Sequence, residues 1–374
     1  MASFEIGTKA YVITGFTMTG YTKQLWEYDA VNDVWTKKKD FPGSARGFAT
    51  GFAIGNKGYV VGGSCCGVTI FYNDLWEYVP STDTWTSKAS FPGIARDAAV
   101  GFAIGGKGYY GTGRYQYSDF WEYDPLINNW TQLQNVPGNP RSFAVAFVMN
   151  NKGYVGYGFD NSGNDAGDLY EFDPTNNSWI TKSPSGLLTA QTGCFVIANK
   201  AYIGQGYLNG NCSSNVFEYD PFLNSIIPSD SFPGGSRCCT SGFSIAGRGY
   251  MGFGVYGYSI VPNDLYEYNP KDMSGTTTSI SEINISNLLS VFPNPSSGKF
   301  TIESPDPSTR LSVTAIEIRN ILGEKIYAAK INSEKIEIDG SSSLTINLSN
   351  QRKGIYFAEI FFGQKKETRK IIIE

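Results

Sequence analysis

The chain has 374 residues, a formal net charge of −4 and no histidine. Histidine supplies the base of Ser-His-Asp and Cys-His nucleophile systems and ligands of most catalytic zinc, copper and non-haem iron sites, so its absence excludes these chemistries. The mildly acidic balance without a basic stripe argues against nucleic-acid binding, and no apolar run is long enough for a transmembrane helix. We therefore predict no metal ion, no cofactor, no nucleic-acid partner and no transmembrane segment.

A unit of about 48 residues occurs six times in the first 272 positions. Its clearest recurring feature is a glutamate between two aromatic or apolar residues, and the six copies are Glu27, Glu77, Glu122, Glu171, Glu218 and Glu267. A basic residue with a tyrosine two positions later recurs in step with it, as at Lys57 and Tyr59. A fixed period of this length indicates a propeller or a solenoid.

Each unit contains four short runs that alternate with glycine-rich turns. In the second copy these runs are 51–54, 59–61, 75–78 and 84–86. Tight turns between short aromatic and β-branched runs are typical of antiparallel strands, and no run has helical periodicity. Four antiparallel strands per unit describe one propeller blade. The sequence therefore predicts an all-β fold with a six-bladed propeller over residues 1–272.

The two ends of the repeat are irregular. The first copy begins inside its first strand, and the sixth stops after its third strand. We therefore expect the last blade to have three strands, or to be completed by a strand from the N-terminal side.

The repeats resemble the kelch family. The matching features are the glycine pair Gly62-Gly63, the tyrosine of the third strand, and a tryptophan nine residues after the third-strand aromatic that precedes the glutamate. That tryptophan is present as Trp35, Trp85, Trp130 and Trp179. The resemblance covers roughly residues 4–272 and implies a propeller, but it implies no particular activity.

Charged residues that recur in every blade are interpreted as structural, because a propeller has one central site. Besides the glutamates, an arginine recurs 11 residues before the basic position, as Arg46, Arg96, Arg141 and Arg237. Because an unpaired buried carboxylate is costly, we expect Glu–Arg pairs, or glutamates bound to backbone amides, at the contacts between blades. Thr189 occupies the arginine position of copy five, so Glu218 must find another partner.

Candidate ligand-binding residues are those that break the repeat in the loops between the second and third strands. They are Phe16, Tyr21, Phe71, Tyr72, Arg114, Tyr115, Tyr117, Phe159, Asp160, Tyr207, Tyr256 and Tyr258. Aromatic faces with scattered polar groups suit sugar rings or protein partners. The alternative is that some of these side chains pack back onto the blades. No catalytic residue is assigned.

After the repeats the chain changes character. Residues 273–286 are polar and are predicted to be a linker, and residues 287–374 are predicted to form a small immunoglobulin-like β-sandwich. Alternating strands are expected at 315–319, 344–348, 354–360 and 370–373.

The C-terminal segment resembles the type A C-terminal sorting domain of the type IX secretion system of Bacteroidota. The matching motifs are Phe292-Pro-Asn-Pro295 with Gly298, then 323–326, 353–356 and 370–373. The resemblance implies that residues 287–374 engage the secretion machinery, that the protein is secreted or attached to the outer-membrane surface, and that the domain is removed. Because residues 1–7 lack the features of a signal peptide, we expect that the start is truncated.

The six cysteines are Cys65, Cys66, Cys194, Cys212, Cys238 and Cys239, and none has the spacing of a metal finger. An even number in an exported protein permits disulfides. Cys212 and Cys238 are expected to be neighbours on one face of the propeller. Two alternatives remain open here: a disulfide, or six reduced cysteines that fill small apolar spaces.

The sequence favours an exported binding protein that recognises a glycan or a protein at the cell surface. The alternative is a carbohydrate-active enzyme, such as a sialic-acid isomerase or a glycosidase, that uses carboxylate, tyrosine or arginine chemistry. A non-repeated pair of buried carboxylates at the channel would favour the enzyme; Asp160 and Asp165 come nearest to such a pair. A structural or adhesive surface protein without a small ligand is a third hypothesis.

Overall fold

The structure is a computed structural model of the whole chain. It describes all residues except 116, 161, 183–188, 209–210, 257–262, 269–280, 285–289, 304–310, 314, 321–323, 331–335, 339–342 and 363–364. The chain divides into two compact units, Met1–Ile285 and Ser286–Glu374. In the described residues, no helix is present that has the length and apolar character needed to cross a membrane.

The first unit is a six-bladed β-propeller in which each blade is one antiparallel sheet of consecutive strands. The innermost strands are Ala2–Ile6, Thr50–Ile54, Val100–Ile104, Val145–Met149, Gly193–Ile197 and Ser241–Ile245. The second strands are Lys9–Ile13, Lys57–Val61, Lys107–Gly111, Lys152–Gly156, Lys200–Leu208 and Arg248–Gly252.

The outer half of each blade holds the recurring glutamate and tryptophan. The third strands are Leu25–Asp29, Leu75–Val79, Phe120–Asp124, Leu169–Asp173, Asn211–Asp220 and Asp264–Tyr268. The fourth strands are Val34–Lys38, Thr84–Lys88, Asn129–Gln132, Ser178–Lys182, Ser225–Pro228 and Ser281–Asn284. Short extra strands are Phe16–Thr17, Gly20–Tyr21, Ser64–Cys65, Ile70–Phe71 and Thr189–Ala190.

The second strands are buried on both faces, because neighbouring blades pack against them. The glycine after the basic residue makes this packing possible. A Cβ atom at Gly58 would lie 2.1 Å from the Phe4 ring of the preceding blade, and one at Gly108 would lie 2.4 Å from the Phe52 ring. The recurring glycine therefore leaves room for the phenylalanine of the neighbouring innermost strand, as expected where two elements approach closely.

The ring closes between the first and the sixth blade without an exchanged strand. Their innermost strands are in contact, and the Oγ atoms of Ser3 and Ser241 are 2.9 Å apart. The rings of Tyr28 and Tyr250 meet edge to face at 5.8 Å. Residues Ala2–Ile6 form the innermost strand of blade one. The outer position of the last blade is filled from further along the chain, so the expectation of a strand from the N-terminal side is wrong.

The expectation of a three-stranded last blade is also wrong. Ser281–Asn284, which the sequence placed in the linker, pairs antiparallel with Asp264–Tyr268 and supplies the fourth strand. The open edge of a third strand has unpaired backbone groups, and a short strand from further along the chain satisfies them. Of the predicted linker, residues 273–280 and 285–286 lie outside the described part.

The recurring glutamates do not pair with the recurring arginines Arg46, Arg96, Arg141 and Arg237. Glu27 lies opposite Tyr11 on the adjacent second strand, and the Tyr11 hydroxyl donates a hydrogen bond of 2.7 Å to it. Lys9 on the same strand donates a second bond of 2.5 Å. Burial alone would raise the pKa of Glu27, but these two hydrogen bonds hold that pKa below its ordinary value. Glu27 is thus paired within its own blade. In blade five, Lys200 and Tyr202 occupy the equivalent positions and donate to Glu218.

The recurring arginines pair with aspartates. Arg46 is 1% exposed and donates two hydrogen bonds, of 2.5 and 2.9 Å, to the carboxylate of Asp74. It also donates to the carbonyl oxygen of Gly62. The equivalent ion pairs are Arg96–Asp119, Arg141–Asp168 and Arg237–Asp264. The prediction failed because the arginine lies in the loop that enters its blade, away from the middle of the third strand.

The second unit is a β-sandwich. Its strands are Ser290–Phe292, Lys299–Glu303, Leu311–Val313, Ala315–Asn320, Lys325–Lys330, Ile336–Ile338, Ser343–Asn347, Gly354–Phe362 and Lys365–Ile373. A three-stranded and a four-stranded antiparallel sheet enclose a core that includes Phe300, Ile316, Ile346 and Ile371.

Candidate functional site at the mouth of the channel

A channel of about 590 Å³ runs between the innermost strands of all six blades. Its wall has two different sides. Blades two to four contribute mainly alanine and valine, for example Ala53 and Ala103, whereas blades five, six and one contribute hydroxyl groups and the carboxylate of Glu5. Strands from all blades therefore bring residues that are distant in sequence to one central space.

One end of the channel, here called the mouth, is ringed by one residue from each of five blades. These residues are Phe48, Ala98, Phe143, Gln191 and Cys239. Each has a positive φ, between 51° and 57°, and therefore adopts the left-handed conformation that non-glycine residues rarely take. The amide of each of the last four donates to the carbonyl of the one before, at 2.9 to 3.2 Å. This chain of hydrogen bonds stabilises the conformation and fixes which side chains surround the mouth.

Arg114 lies at the mouth between two aromatic rings. The centre of its guanidinium group is 5.3 Å from the ring centroid of Phe48 and 4.9 Å from that of Phe143. Its Nε donates to Asp97 Oδ1 at 2.8 Å, and Ser64 donates to the other oxygen at 2.6 Å. Asp97 is fully buried, whereas the Arg114 side chain is 26% exposed. The arrangement thus holds a cation in a fixed position where it remains accessible.

Further aromatic rings continue from this cluster. Phe143 contacts Phe159 edge to face at 6.1 Å, and Phe159 contacts Tyr207 at 5.6 Å. A second pair, Phe71 and Tyr115, lies at 5.5 Å, and Tyr115 is 62% exposed. Of the predicted residues, the structure therefore connects Arg114, Phe159 and Tyr207 through the rings of the mouth. The name "mouth cluster" is used below for these three with Phe48 and Phe143.

Other predicted residues pack back onto the blades. Tyr72 and Tyr117 lie over the guanidinium groups of Arg46 and Arg96, at 3.9 and 4.0 Å from the ring centroids. In the last blade, Tyr256 lies over the equivalent arginine at 4.8 Å. A cation against a ring face is a stabilising arrangement. These three tyrosines therefore stabilise the blades, which is the alternative to ligand binding that the sequence left open.

The remaining predicted residues are not part of the mouth cluster. Phe16 and Tyr21 contact each other at 5.1 Å within the hairpin of blade one. Asp160 accepts hydrogen bonds from the amides of Ser162 and Asn164, which lower its pKa and identify it as a turn residue. Tyr258 lies outside the described residues.

Glu5 is the functional candidate that sequence reasoning missed. It faces the channel where the other blades have Ala53, Ala103, Val148, Val196 and Ser244. Burial raises its pKa from 4.5 to about 7. A carboxyl group with such a pKa can hold or release a proton near neutral pH.

Asp97, Phe48 and Phe143 were missed in the same way as Glu5, and one sequence signal could have found all four. Asp97 corresponds to Gly47, Ser142, Ala190 and Cys238 in other blades. At the position of Phe48 and Phe143, the other three blades of the ring have Ala98, Gln191 and Cys239. Comparison of the innermost strands and their entry loops, and not only of the longer loops, would have shown each as a departure from the repeat.

Cys212 and Cys238 form a disulfide that joins the loop of blade five to the entry of blade six. This resolves the two alternatives left open by the sequence. Cys65, Cys66, Cys194 and Cys239 have free thiols.

Comparison with known proteins identifies the C-terminal unit. Residues 290–374 match the family described as the secretion system C-terminal sorting domain. This unit is a type IX secretion sorting domain. The sorting domain shows that the protein is secreted or attached to the outer-membrane surface, and indicates that it interacts with the secretion machinery.

The first unit is similar to a solved structure of YjhT. The TM-score is 0.64 at 16% sequence identity, over 75% of this chain and 96% of that chain. At this identity the similarity shows the fold alone, and it confirms the propeller. No curated protein is significantly similar to this chain in sequence.

Proposed function

We propose that the protein is a binding protein of the cell surface that recognises glycans with the mouth cluster of its propeller. The observation that supports this most strongly is the convergence of non-repeated residues. Arg114 is the one arginine of the propeller sequence outside the two recurring positions, and it lies between the rings of Phe48 and Phe143.

The geometry of Arg114 suits hydroxyl groups. Among the described residues, Arg114 donates to a protein oxygen through its Nε alone. The N–H groups of both terminal nitrogens are therefore available to a ligand. Asp97 compensates its positive charge. Neutral sugar rings offer hydroxyl acceptors for these donors and apolar faces for stacking on aromatic rings.

A glycan array with the full chain tests this proposal. We expect binding to neutral glycans that is lost on Phe159→Ala. Phe222→Ala is the matched control, because Phe222 is 94% exposed in a hairpin at the opposite end of the blades. If neither the wild type nor the control binds any glycan, or if both variants bind equally, the proposal is wrong. Binding to surface proteins alone would favour a protein partner.

A carbohydrate-active enzyme is the second candidate, because Glu5 lies in the channel with a pKa near neutrality. A raised carboxyl pKa is what a general acid requires. The test is turnover of chromogenic glycosides, with loss on Glu5→Gln expected if this hypothesis is right. Asp160 does not form the second carboxylate, since it binds backbone amides in its own loop.

We also propose that the sorting domain is removed during export, with cleavage in or near residues 273–286 but outside the propeller strand Ser281–Asn284. A chain that ends at Ile285, which keeps the fourth strand of the last blade, should remain in the periplasm of a type IX-competent host. A reporter fused to residues 286–374 behind a signal peptide should leave the cell. Equal export of the truncated and the complete chain would contradict the assignment of these residues as the sorting signal.

A further inference from the structure

Two adjacent cysteines stand close to the mouth. Cys65 ends the short strand Ser64–Cys65, which forms a hairpin with Ile70–Phe71, and its Sγ atom is 2.8 Å from that of Cys66. Consecutive side chains of an extended strand point in opposite directions. Here Cys66 has a φ of 57°, so the chain leaves the extended conformation and both sulfur atoms lie on the same side.

The surroundings favour reaction between the two sulfur atoms. Cys65 is buried, whereas Cys66 is exposed. The hydroxyl of Tyr72 lies 3.1 Å from the Cys65 sulfur, and Tyr72 is itself held over the Arg46 guanidinium group. Hydrogen bonds from Cys66 and Tyr72 lower the pKa of the Cys65 thiol, while the contact with Cys65 raises the pKa of the Cys66 thiol. Cys65 therefore holds the larger fraction of thiolate for the second, intramolecular step, and the exposed Cys66 is the thiol that an oxidant can reach.

We propose that Cys65 and Cys66 form a disulfide between adjacent residues in the exported protein. The Cys66 thiolate attacks a small-molecule or protein disulfide oxidant, forms a mixed disulfide and releases one thiolate. The Cys65 thiolate then attacks the Cys66 sulfur and displaces the second thiolate of the oxidant. The two cysteines lose two protons and two electrons, and the oxidant is reduced to two thiols.

The other adjacent pair shows why this chemistry is specific to one place. Cys238 is bonded to Cys212, so Cys239 has no adjacent thiol to react with. Cys194 lies in the innermost strand of blade five, where burial raises the pKa of its thiol. Cys194 and Cys239 therefore serve as internal controls that stay reduced.

The disulfide would close a small ring at one end of this hairpin. In the same hairpin, the Phe71 ring contacts Tyr115 and the Ser64 hydroxyl donates to Asp97. The loop would then have fewer conformations available before any ligand arrives, which lowers the entropic cost of binding. This inference depends on export but not on glycan binding, so the two proposals fail independently.

Alkylation and mass spectrometry of the full chain, recovered from the surface or medium of an exporting host, test the proposal. The protein is denatured in iodoacetamide without reductant and digested. We expect alkyl groups on Cys194 and Cys239. The peptide that contains both Cys65 and Cys66 should be unmodified and lighter by two hydrogen atoms than its dithiol form, and reduction should make it accept two alkyl groups.

Cys66→Ser provides the matched variant, in which Cys65 should be alkylated without reduction. The proposal is overturned if most of the wild-type chains carry alkyl groups on both Cys65 and Cys66 before reduction. It is also overturned if either residue is found linked to another cysteine.

Discussion

The propeller uses arginine in two different ways. At the blade entries, the Arg46 side chain is 1% exposed, has both carboxylate oxygens of Asp74 as partners, and is covered by the Tyr72 ring. At the mouth, Arg114 is 26% exposed and uses one nitrogen for one carboxylate oxygen. The same side chain is thus saturated with protein partners in one place and left with free donors in the other. The difference separates residues that build the fold from residues that can recognise a ligand.

The four blade-entry arginines show that the pair is one structural unit. Where the arginine is present, an aspartate occupies the position three residues before the recurring glutamate, as Asp74, Asp119, Asp168 and Asp264. In blade five both are absent, and Thr189 and Asn215 stand in their places. The Thr189 hydroxyl there donates to the carbonyl oxygen of Tyr207. A buried charge is therefore kept only with its partner, as its desolvation cost requires.

The largest predicted effect is on an arginine pair. Arg96→Thr leaves the Asp119 carboxylate without its cation and should lower the free energy of unfolding by about 3 kcal/mol. Arg96→Thr with Asp119→Asn copies the residues of blade five and should recover part of this loss. Denaturant unfolding of the two variants and the wild type measures both effects. A double variant less stable than the single one would break the interpretation of a coupled pair.

The second prediction concerns the link between blades five and six. Cys212→Ser with Cys238→Ser removes a disulfide that closes 26 residues of separation, and should cost about 2–4 kcal/mol in unfolding free energy. The comparison is sharpened by measuring the wild type with and without reductant, which should reproduce the loss. An unchanged unfolding midpoint in both experiments would show that blade five, which lacks the arginine pair, does not depend on this bond.

The channel carboxylate gives a pH-dependent prediction. Glu5 has a folded-state pKa of about 7 against an ordinary value of 4.5. In this window the folded protein holds more protons on Glu5 than the unfolded chain does, so stability falls as pH rises from 4.5 to 7. Because the side chain borders an open channel, we expect a loss on the order of 1–2 kcal/mol.

Glu5→Gln should remove this dependence and make the protein more stable than the wild type at pH 8. Unfolding at pH 5 and pH 8 measures it, and other titrating groups cancel in the difference between the two proteins. The same pH dependence in the variant and the wild type would assign the effect to another residue.

The architecture was predictable from the sequence because the repeat is expressed at many positions at once. The glutamate, the glycine of the second strand and the phenylalanine of the innermost strand each recur at fixed intervals, and a register error would displace all of them. The ion pairs were not predictable in the same way. Arg46 and Asp74 are 28 residues apart, and only the joint absence in blade five of the arginine and aspartate indicates that they belong together.

The candidate site was predictable only in part. Loop residues such as Phe159 and Tyr117 look alike in sequence, since both are aromatic and both follow a second strand. Their roles differ because Tyr117 meets a buried arginine at 4.0 Å, whereas Phe159 meets the rings of the mouth. The left-handed turns that place Phe48 and Phe143 at the mouth depend on hydrogen bonds between blades, which a local sequence pattern does not show.

The smallest effect on stability and the most direct test come from these two aromatic residues. The measurement is the affinity of full-length Phe159→Ala and Tyr117→Ala for the glycan that the wild type binds most strongly on the array. We predict that Phe159→Ala loses most of this affinity, while Tyr117→Ala keeps it and loses only about 0.5–2 kcal/mol of stability with its cation–π contact. Wild-type affinity in Phe159→Ala, whatever the affinity of Tyr117→Ala, would contradict the assignment of recognition to the mouth cluster.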